Sequence, residues 1–293
     1  MPIERIVAAT DFSAASARAL RRAAQLAGVH RAPLELAAVL PGSWLGELRS
    51  WLAGAEVQAS VAAIEARLHE AAEELRRSHA IEIRTHLLKG DARTELARFA
   101  AAIDAGVLVV GAHGRSLVGE IALGSTALAL LERCAAPLLL VRSDATHAYR
   151  KVLAGVAFEP AAREAIRQAA ALAPDADFTL AHVYEDPFAA EFFLGQASDA
   201  AAAHYRERAR SRAERELERF CAELEPLGIP IERRLVHGAP GLQLAQLAGQ
   251  IGAELVVLGA RRRPGRAAAL LGSVAANVAL MVPSDVLLVR ERA

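Results

Sequence analysis

The chain has 293 residues, enough for one large or two ordinary domains, and its 54% hydrophobic and 23% charged residues are typical of a globular protein. Lys and Arg together number 34, as do Asp and Glu, so no net field attracts nucleic acid or an anionic membrane surface. Residues 1–13 enter a strand pattern directly, without the basic and apolar regions of a secretion signal. We therefore expect a cytoplasmic protein that binds neither nucleic acid nor membrane.

Short apolar runs rich in β-formers alternate with Ala-, Leu-, Arg- and Glu-rich runs of helical period in the first half of the chain. The predicted strands lie near residues 4–10, 33–40, 81–87, 106–111 and 137–142. The predicted helices lie near residues 13–27, 53–78, 92–103 and 123–135. Nearly continuous apolar strands separated by helices are typical of parallel strands covered on both faces. This pattern predicts a doubly wound α/β sheet whose ligand crevice lies at the carboxyl ends of the strands.

The same pattern occurs a second time along the chain. Residues 5–27 are echoed by residues 151–173 at an offset of 146. The run VLVVG at 107–111 is echoed by LVVLG at 255–259, at an offset of 148. Two copies of a unit of about 145 residues account for nearly the whole chain. We predict two tandem domains of the same α/β class, over residues 1–146 and 147–293.

A glycine-rich segment follows the fourth predicted strand. Gly111 ends that strand, Gly114 lies in the next loop, and Gly124 with Ser125 opens the last helix of the first copy. Glycine lets a backbone approach a ligand closely, and a helix N-terminus offers unpaired N–H groups that suit phosphate. The spacing also fits an ordinary strand–loop–helix connection with a serine cap. From the residues alone, phosphate binding and a structural turn both stay open.

Asp11 directly follows the first predicted strand, which neighbours the fourth strand in a sheet of this kind. A carboxylate at that position can accept hydrogen bonds from a base amine or a ribose hydroxyl. The alternative is a cap for the helix that follows, shared with Ser13. His113, between the two glycines, has no evident orienting partner, so we interpret it as a loop residue. We interpret Lys89-Gly90-Asp91 as a surface turn.

The segment Gly111-x2-Gly114-x9-Gly124-Ser125, with Asp11 after the first strand, resembles the signature of the universal stress protein family. The two copies resemble a tandem member of that family. The resemblance implies a strand order of 3-2-1-4-5 and a site for ATP, with or without Mg²⁺. The glycine loop and hydroxyls would hold the phosphates and ribose, and Asp11 with nearby backbone would hold the adenosine. The implied nucleotide-contacting set is Ala9, Thr10, Asp11, Val39, Val110, Gly111, His113, Gly114, Arg115, Gly124, Ser125 and Thr126.

The resemblance also implies a partner for each half of the chain. Both last strands, near residues 137–142 and 285–290, are apolar edge strands, and an unprotected edge is an aggregation liability that pairing removes. We therefore expect the halves to form an intramolecular pseudo-dimer through these strands. A homodimer of the whole chain stays open.

The second copy departs from the signature at two positions. Ala157 stands where Asp11 stands, and Arg262 stands at the second glycine position, although Gly272 keeps the third. The loop GARRRPGR, residues 259–266, carries four arginines. It can bind an anion by charge, fill the site with side chains, or be solvated, and the three readings stay open. We expect the C-terminal half to be degenerate as an ATP site.

These observations favour an ATP-binding stress or regulatory protein without catalytic residues, whose nucleotide changes its binding to partners. A slow ATP hydrolase or adenylyl-transfer enzyme is the first alternative, although the chain has no G-x-x-x-x-G-K-[ST] loop and no arranged carboxylates for magnesium. A lipid- or small-metabolite-binding module, with its pocket in the second half, is the other alternative.

Overall fold

The chain forms two compact units, the first ending at Ala148 and the second beginning at Tyr149. The computed structural model describes residues 3–42, 54–113, 123–144, 146–185, 199–260 and 273–291. Each unit contains one copy of the repeat. The domain boundary between residues 146 and 147 stays a prediction.

The first unit is a parallel sheet with helices on both faces. Its sheet has the order β3-β2-β1-β4-β5, and each neighbouring pair of strands is parallel. The strands are β1 (Ile6–Thr10), β2 (Leu34–Leu40), β3 (Ile83–Lys89), β4 (Val107–Gly111) and β5 (Leu138–Val141). The helices are α1 (Ala14–His30), α2 (Gly54–Ser78), α3 (Ala92–Ala102) and α4 (Ser125–Arg133). The predicted α/β fold and the strand order 3-2-1-4-5 are confirmed.

The second unit repeats this arrangement. Its strands are β6 (Lys151–Gly155), β7 (Asp177–Tyr184), β8 (Ile231–His237), β9 (Leu255–Ala260) and β10 (Asp285–Arg290). Its helices are α5 (Pro160–Leu172), α6 (Asp199–Ala222), α7 (Pro240–Ile251) and α8 (Ser273–Met281), with a 3₁₀ turn at Glu225–Leu227. Parallel pairings give the order β8-β7-β6-β9-β10, which corresponds strand by strand to the first unit.

The chain direction assigns the helices of the first unit to two layers. Moving along the chain, α1 and α2 connect strands in one direction across the sheet, whereas α3 and α4 connect strands in the other. Because parallel crossovers are right-handed, the two pairs lie on opposite faces. Consistently, α1 contacts α2, and α3 contacts α4. The carboxyl ends of β1, β2 and β4 lie between these layers.

Helix α1 illustrates how the sequence forms an element and places it. Ser13 caps its start, since the Ser13 hydroxyl accepts the Ser16 N–H at 3.2 Å. Small buried residues, among them Ala15, Ala19 and Ala23, form the face that lies on the sheet. The helix continues to His30, three residues beyond the predicted end, and stops where Arg31 adopts a left-handed conformation with φ of 53°.

Candidate functional site

A cavity of about 540 Å³ opens at the carboxyl ends of β1, β2 and β4 in the first unit. This volume lies in the range of pockets that hold small-molecule ligands. Two of the predicted site residues, Gly114 and Arg115, lie outside the described residues. All the others line the cavity: Ala9, Thr10, Asp11, Val39, Val110, Gly111, His113, Gly124, Ser125 and Thr126. The structure thus brings together residues that are more than one hundred positions apart.

Hydroxyl groups cluster on the α1 side of the cavity. The Thr10 and Ser16 hydroxyls share a hydrogen bond of 3.1 Å, and both residues are buried. Ser16 Oγ also donates to the Ser13 carbonyl oxygen at 2.9 Å. Each hydroxyl therefore forms a hydrogen bond within the protein, so these polar side chains are held in place on this wall of the cavity.

Asp11 lies at the exposed rim of the same cavity. Its carboxylate accepts the Ser13 N–H at 3.0 Å, which closes a local turn of the Asx type. The helix cap itself belongs to Ser13. The sequence left two roles open for Asp11, the cap of α1 and a contact to a ligand. In the structure Ser13 caps α1, and the Asp11 carboxylate lies at the cavity.

Gly111 serves the packing of β4 against α1. A Cβ at this position would lie 2.8 Å from the carbonyl carbon of Ala15 and 2.9 Å from its oxygen. These are backbone atoms of the first turn of α1, so they cannot move aside without displacing the helix. The glycine is required by the close approach of a helix, whatever else lies in the cavity.

The start of helix α4 forms the opposite wall. Gly124 is its N-cap residue and has no side chain to cap the helix, while the Gly124 N–H donates to the Ala112 carbonyl at 2.8 Å. Ser125 and Thr126 follow in the first turn and line the cavity. A helix N-terminus with hydroxyls beside it carries a positive partial charge and donors suited to an anion.

Several cavity residues are absent from the set inferred from the sequence. They come from the turn after β1, the end of β2 and the four helices: Phe12, Ser16, Ala37, Ala38, Leu40, Pro41, Ile64, Arg67, Ala92, Leu96 and Ala127. Phe12 could have been inferred, because it follows Asp11 directly. The residues on α2 and α3 could not, because tertiary packing decides which side of a helix faces the crevice.

A second cavity of about 480 Å³ adjoins the first and shares five lining residues with it: Val39, Pro41, Ala92, Ser125 and Thr126. Gly90 and Asp91 line it, so the predicted turn at Lys89-Gly90-Asp91 lies at the same edge of the sheet. Asp91 is the N-cap of α3 and accepts the Arg93 N–H at 3.1 Å.

The corresponding place in the second unit holds aromatic side chains. His182 of β7 occupies the position that Ala38 has in β2. Its ring lies 4.1 Å from that of Phe158, the counterpart of Phe12, and the Phe220 ring lies 5.8 Å from Phe158. His182 Nδ1 donates to the Val156 carbonyl at 2.8 Å. Burial lowers the pKa of His182, and the Val156 hydrogen bond and the charge of Glu216 oppose this effect in part.

Leu244 stands at the position of Leu96, which lines the cavity of the first unit. Leu244 of α7 packs over Gly155, so closely that a Cβ on Gly155 would lie 2.8 Å from Leu244 Cδ1. The polar groups of the first unit are replaced, because Val156, Ala157, Glu159 and Ala162 stand at the positions of Thr10, Asp11, Ser13 and Ser16. Arg262 and Gly272 lie outside the described residues.

Three further features bear on the kinds of site present. Within the described ranges, no three His, Cys, Asp or Glu side chains are grouped to hold a metal ion. None of the helices in those ranges is long and apolar enough to cross a membrane. Cys221 is buried, and burial raises the pKa of its thiol.

Comparison with known proteins gives a consistent result for both units. The profile of the universal stress protein family matches residues 2–142 and again residues 148–290. A universal stress protein of Mycolicibacterium smegmatis is 30% identical over 297 aligned positions, which cover 98% of this chain and 97% of that protein.

Solved structures show the same fold over nearly the whole length. A universal stress protein from Archaeoglobus fulgidus superposes with a TM-score of 0.69 at 17% identity, covering 98% of each chain. A protein of unknown function from Pseudomonas aeruginosa superposes with a TM-score of 0.66 at 20% identity, covering 98% of this chain and 92% of that one.

Proposed function

The chain belongs to the universal stress protein family, and on that premise we propose that its first unit binds ATP while its second unit does not. The protein would act as a regulatory stress protein whose bound nucleotide changes its interaction with other proteins. The observation that carries the proposal is the 540 Å³ cavity lined by every described residue of the inferred nucleotide-contacting set.

The chemistry of the cavity suits the parts of a nucleotide. The start of α4, with Ser125 and Thr126, provides hydrogen-bond donors and a positive partial charge for the phosphates. Asp11 provides an acceptor for a ribose hydroxyl or a base amine. Apolar side chains, among them Val39 and Leu96, provide a dry surface for the base. Mg²⁺ would be bound through the phosphates, and we assign it no protein ligand.

Two differences support a second unit without an ATP site. His182 stacks on Phe158, whereas the first unit has Ala38 at the position of His182 and its Phe12 lies against Arg67. Ala157 has no carboxylate to accept a hydrogen bond from an adenosine. An arginine-rich loop can still attract phosphate by charge, but such binding would show no preference for adenine and would weaken with salt.

Calorimetric titration of the full chain with ATP at low and moderate salt tests both parts of the proposal. We expect one site per chain that is retained at moderate salt. Absence of any ATP binding would contradict the first part. A second site of similar affinity and adenine preference would contradict the second part, whereas a weak salt-sensitive site that pyrophosphate also fills would agree with it.

Native mass spectrometry of the freshly purified protein separates this function from its alternatives. One nucleotide-sized adduct is expected. A lipid-sized adduct would favour a lipid-binding module, and sustained phosphate release in a separate assay would favour a hydrolase.

We also propose, from the sequence and the family resemblance, domains at 1–146 and 147–293 that pair through their last strands. Slow amide exchange at 138–141 and 286–289 in the full chain is expected. Equal protection of 138–141 in a monomeric fragment 1–146 would contradict the pairing.

A further inference from the structure

Phe12 is held at the cavity in an uncommon backbone conformation. Its φ is +61°, a left-handed value that is strained for a bulky residue unless the surroundings impose it. The Phe12 N–H donates to Thr10 Oγ1 at 3.0 Å, and Thr10 is itself bonded to Ser16. The hydroxyl network therefore fixes the turn and, with it, the place of the ring at the cavity.

Arg67 of helix α2 covers that ring. Its guanidinium carbon lies 4.3 Å from the centre of the Phe12 ring, at cation–π distance. Arg67 lines the cavity, as does Ile64 one turn earlier, so this side of α2 faces the site. No carboxylate among the described residues forms an ion pair with Arg67. Its planar group is held by the aromatic face.

The position of α2 separates Arg67 from the phosphate end of the site. Helices α2 and α4 lie on opposite faces of the sheet, because the crossovers that contain them run in opposite directions. The donors assigned to the phosphates, at Ser125 and Thr126, therefore face Arg67 across the carboxyl ends of the strands. Asp11, the acceptor assigned to the adenosine, is the residue next to Phe12.

We propose that Arg67 and Phe12 form a stacking platform for the base of the bound nucleotide, an inference that rests on the proposed function. Guanidinium planes and aromatic rings both stack on nucleobases, and such stacking is insensitive to the number of phosphates. The second unit agrees with this assignment. Phe158 has the same left-handed backbone, with φ of 57°, but its ring stacks on His182.

Calorimetric titration of the wild-type chain and of Arg67→Met with adenosine, AMP and ATP tests the platform. Methionine keeps the length and the apolar stem of arginine but has no planar group. We expect Arg67→Met to weaken all three ligands by the same factor, about five- to tenfold. Arg67→Lys should fail to restore affinity, because an ammonium group keeps the charge without the plane. Arg77→Met, an exposed arginine on the same helix outside the cavity, is the matched control and should leave affinity unchanged.

Each other outcome has a definite meaning. A loss that grows from adenosine to ATP, with rescue by lysine, would show that Arg67 reads phosphate charge, and it would overturn the platform. Wild-type binding that Arg67→Met leaves unchanged would overturn the platform while the proposed function stands. Absence of adenosine and ATP binding in the wild-type chain would overturn both. Phe12→Leu, checked for folding by circular dichroism, should reproduce the uniform loss.

Discussion

At the end of β2 in the first unit, Ala38 leaves open the space that His182 takes at the end of β7 in the second. The two strands lie at equivalent positions in sheets of the same order. One unit has a cavity lined by hydroxyls and a carboxylate, and the other has stacked rings at the corresponding place. A fold of this kind is stable with either arrangement, so the fold alone does not specify a ligand.

The two units share the glycine on which the first helix packs, but they do not share the polar residues that follow the first strand. Gly111 and Gly259 are both present, and in both units the first helix lies where a Cβ would be. Thr10, Asp11 and Ser16 have lost their counterparts. The packing of helix on strand requires the glycine, whereas it does not require the hydroxyls or the carboxylate. The hydroxyls and Asp11 are therefore the better indicators of a binding site in this chain.

Ala38→His should have the largest effect on ATP affinity, because it places in the first unit the side chain that the second unit has at position 182. The imidazole would take the space proposed for the nucleotide, and we expect affinity for ATP to fall more than about 100-fold. Calorimetry measures the loss. Overpacking also costs about 1–3 kcal/mol of stability, so urea unfolding must show that the variant is folded. Ala38→Ser is the control of similar size, and unchanged affinity in Ala38→His would refute the comparison.

Asp11→Ala should weaken ATP binding less, by about tenfold to a hundredfold. Hydrogen bonds to a charged acceptor are worth about 1.5–3 kcal/mol, and the carboxylate would lose its bond to the nucleotide. Asp11→Asn keeps an oxygen that can accept the Ser13 N–H, but it removes the charge and replaces the second acceptor oxygen with an NH2 donor, so it separates the turn from the ligand contact. If both variants bind ATP as the wild type does, Asp11 serves only the turn.

Gly259→Ala and Gly111→Ala should each destabilise the ligand-free protein by about 1–3 kcal/mol. The added Cβ would lie 2.5 Å from the Ala162 nitrogen at Gly259 and 2.8 Å from the Ala15 carbon at Gly111, so the first change should cost more. Urea unfolding without nucleotide measures both. Gly249→Ala is the control, because nothing lies within 4 Å of the added atom and alanine favours a helix. Loss of ATP affinity in Gly111→Ala without loss of stability would restore a ligand role for that glycine.

The pH dependence contributed by His182 should be the smallest effect. Burial lowers its pKa below the ordinary value of 6.5, so the unfolded chain binds this proton more tightly than the folded chain. Stability is therefore complete above pH 6.5, falls as the pH drops towards the lowered pKa, and levels off below it. His182→Gln should reduce this slope in urea unfolding measured against pH. His30, whose pKa is also lowered by burial, contributes in the same direction in both proteins and so cancels in the difference. If the free energy of unfolding depends on pH equally in the variant and the wild type, His182 does not contribute to that dependence.

The duplication and the α/β class of each unit follow from the residues alone, and the strand order of the first unit follows from the family resemblance. The same resemblance predicted many of the residues that line the candidate cavity. Strand ends and the turns after them are local features, and in a parallel sheet all carboxyl ends meet at one edge. Asp11, Val39 and Ser125 could therefore be placed together from strand assignments and a family resemblance, although they are far apart in the chain.

The contacts that depend on how the helices lie on the sheet could not be predicted from the sequence and are seen only in the folded chain. The side of α2 that faces the cavity brings Arg67 onto Phe12, and no local pattern in that helix marks this side. The close approach of α1 is the reason that residue 111 must be a glycine. The ring of Phe158, which follows β6, stacks on His182 of the neighbouring strand β7. These contacts join residues separated by tens of positions, so their geometry follows from packing between elements, which local sequence patterns do not encode.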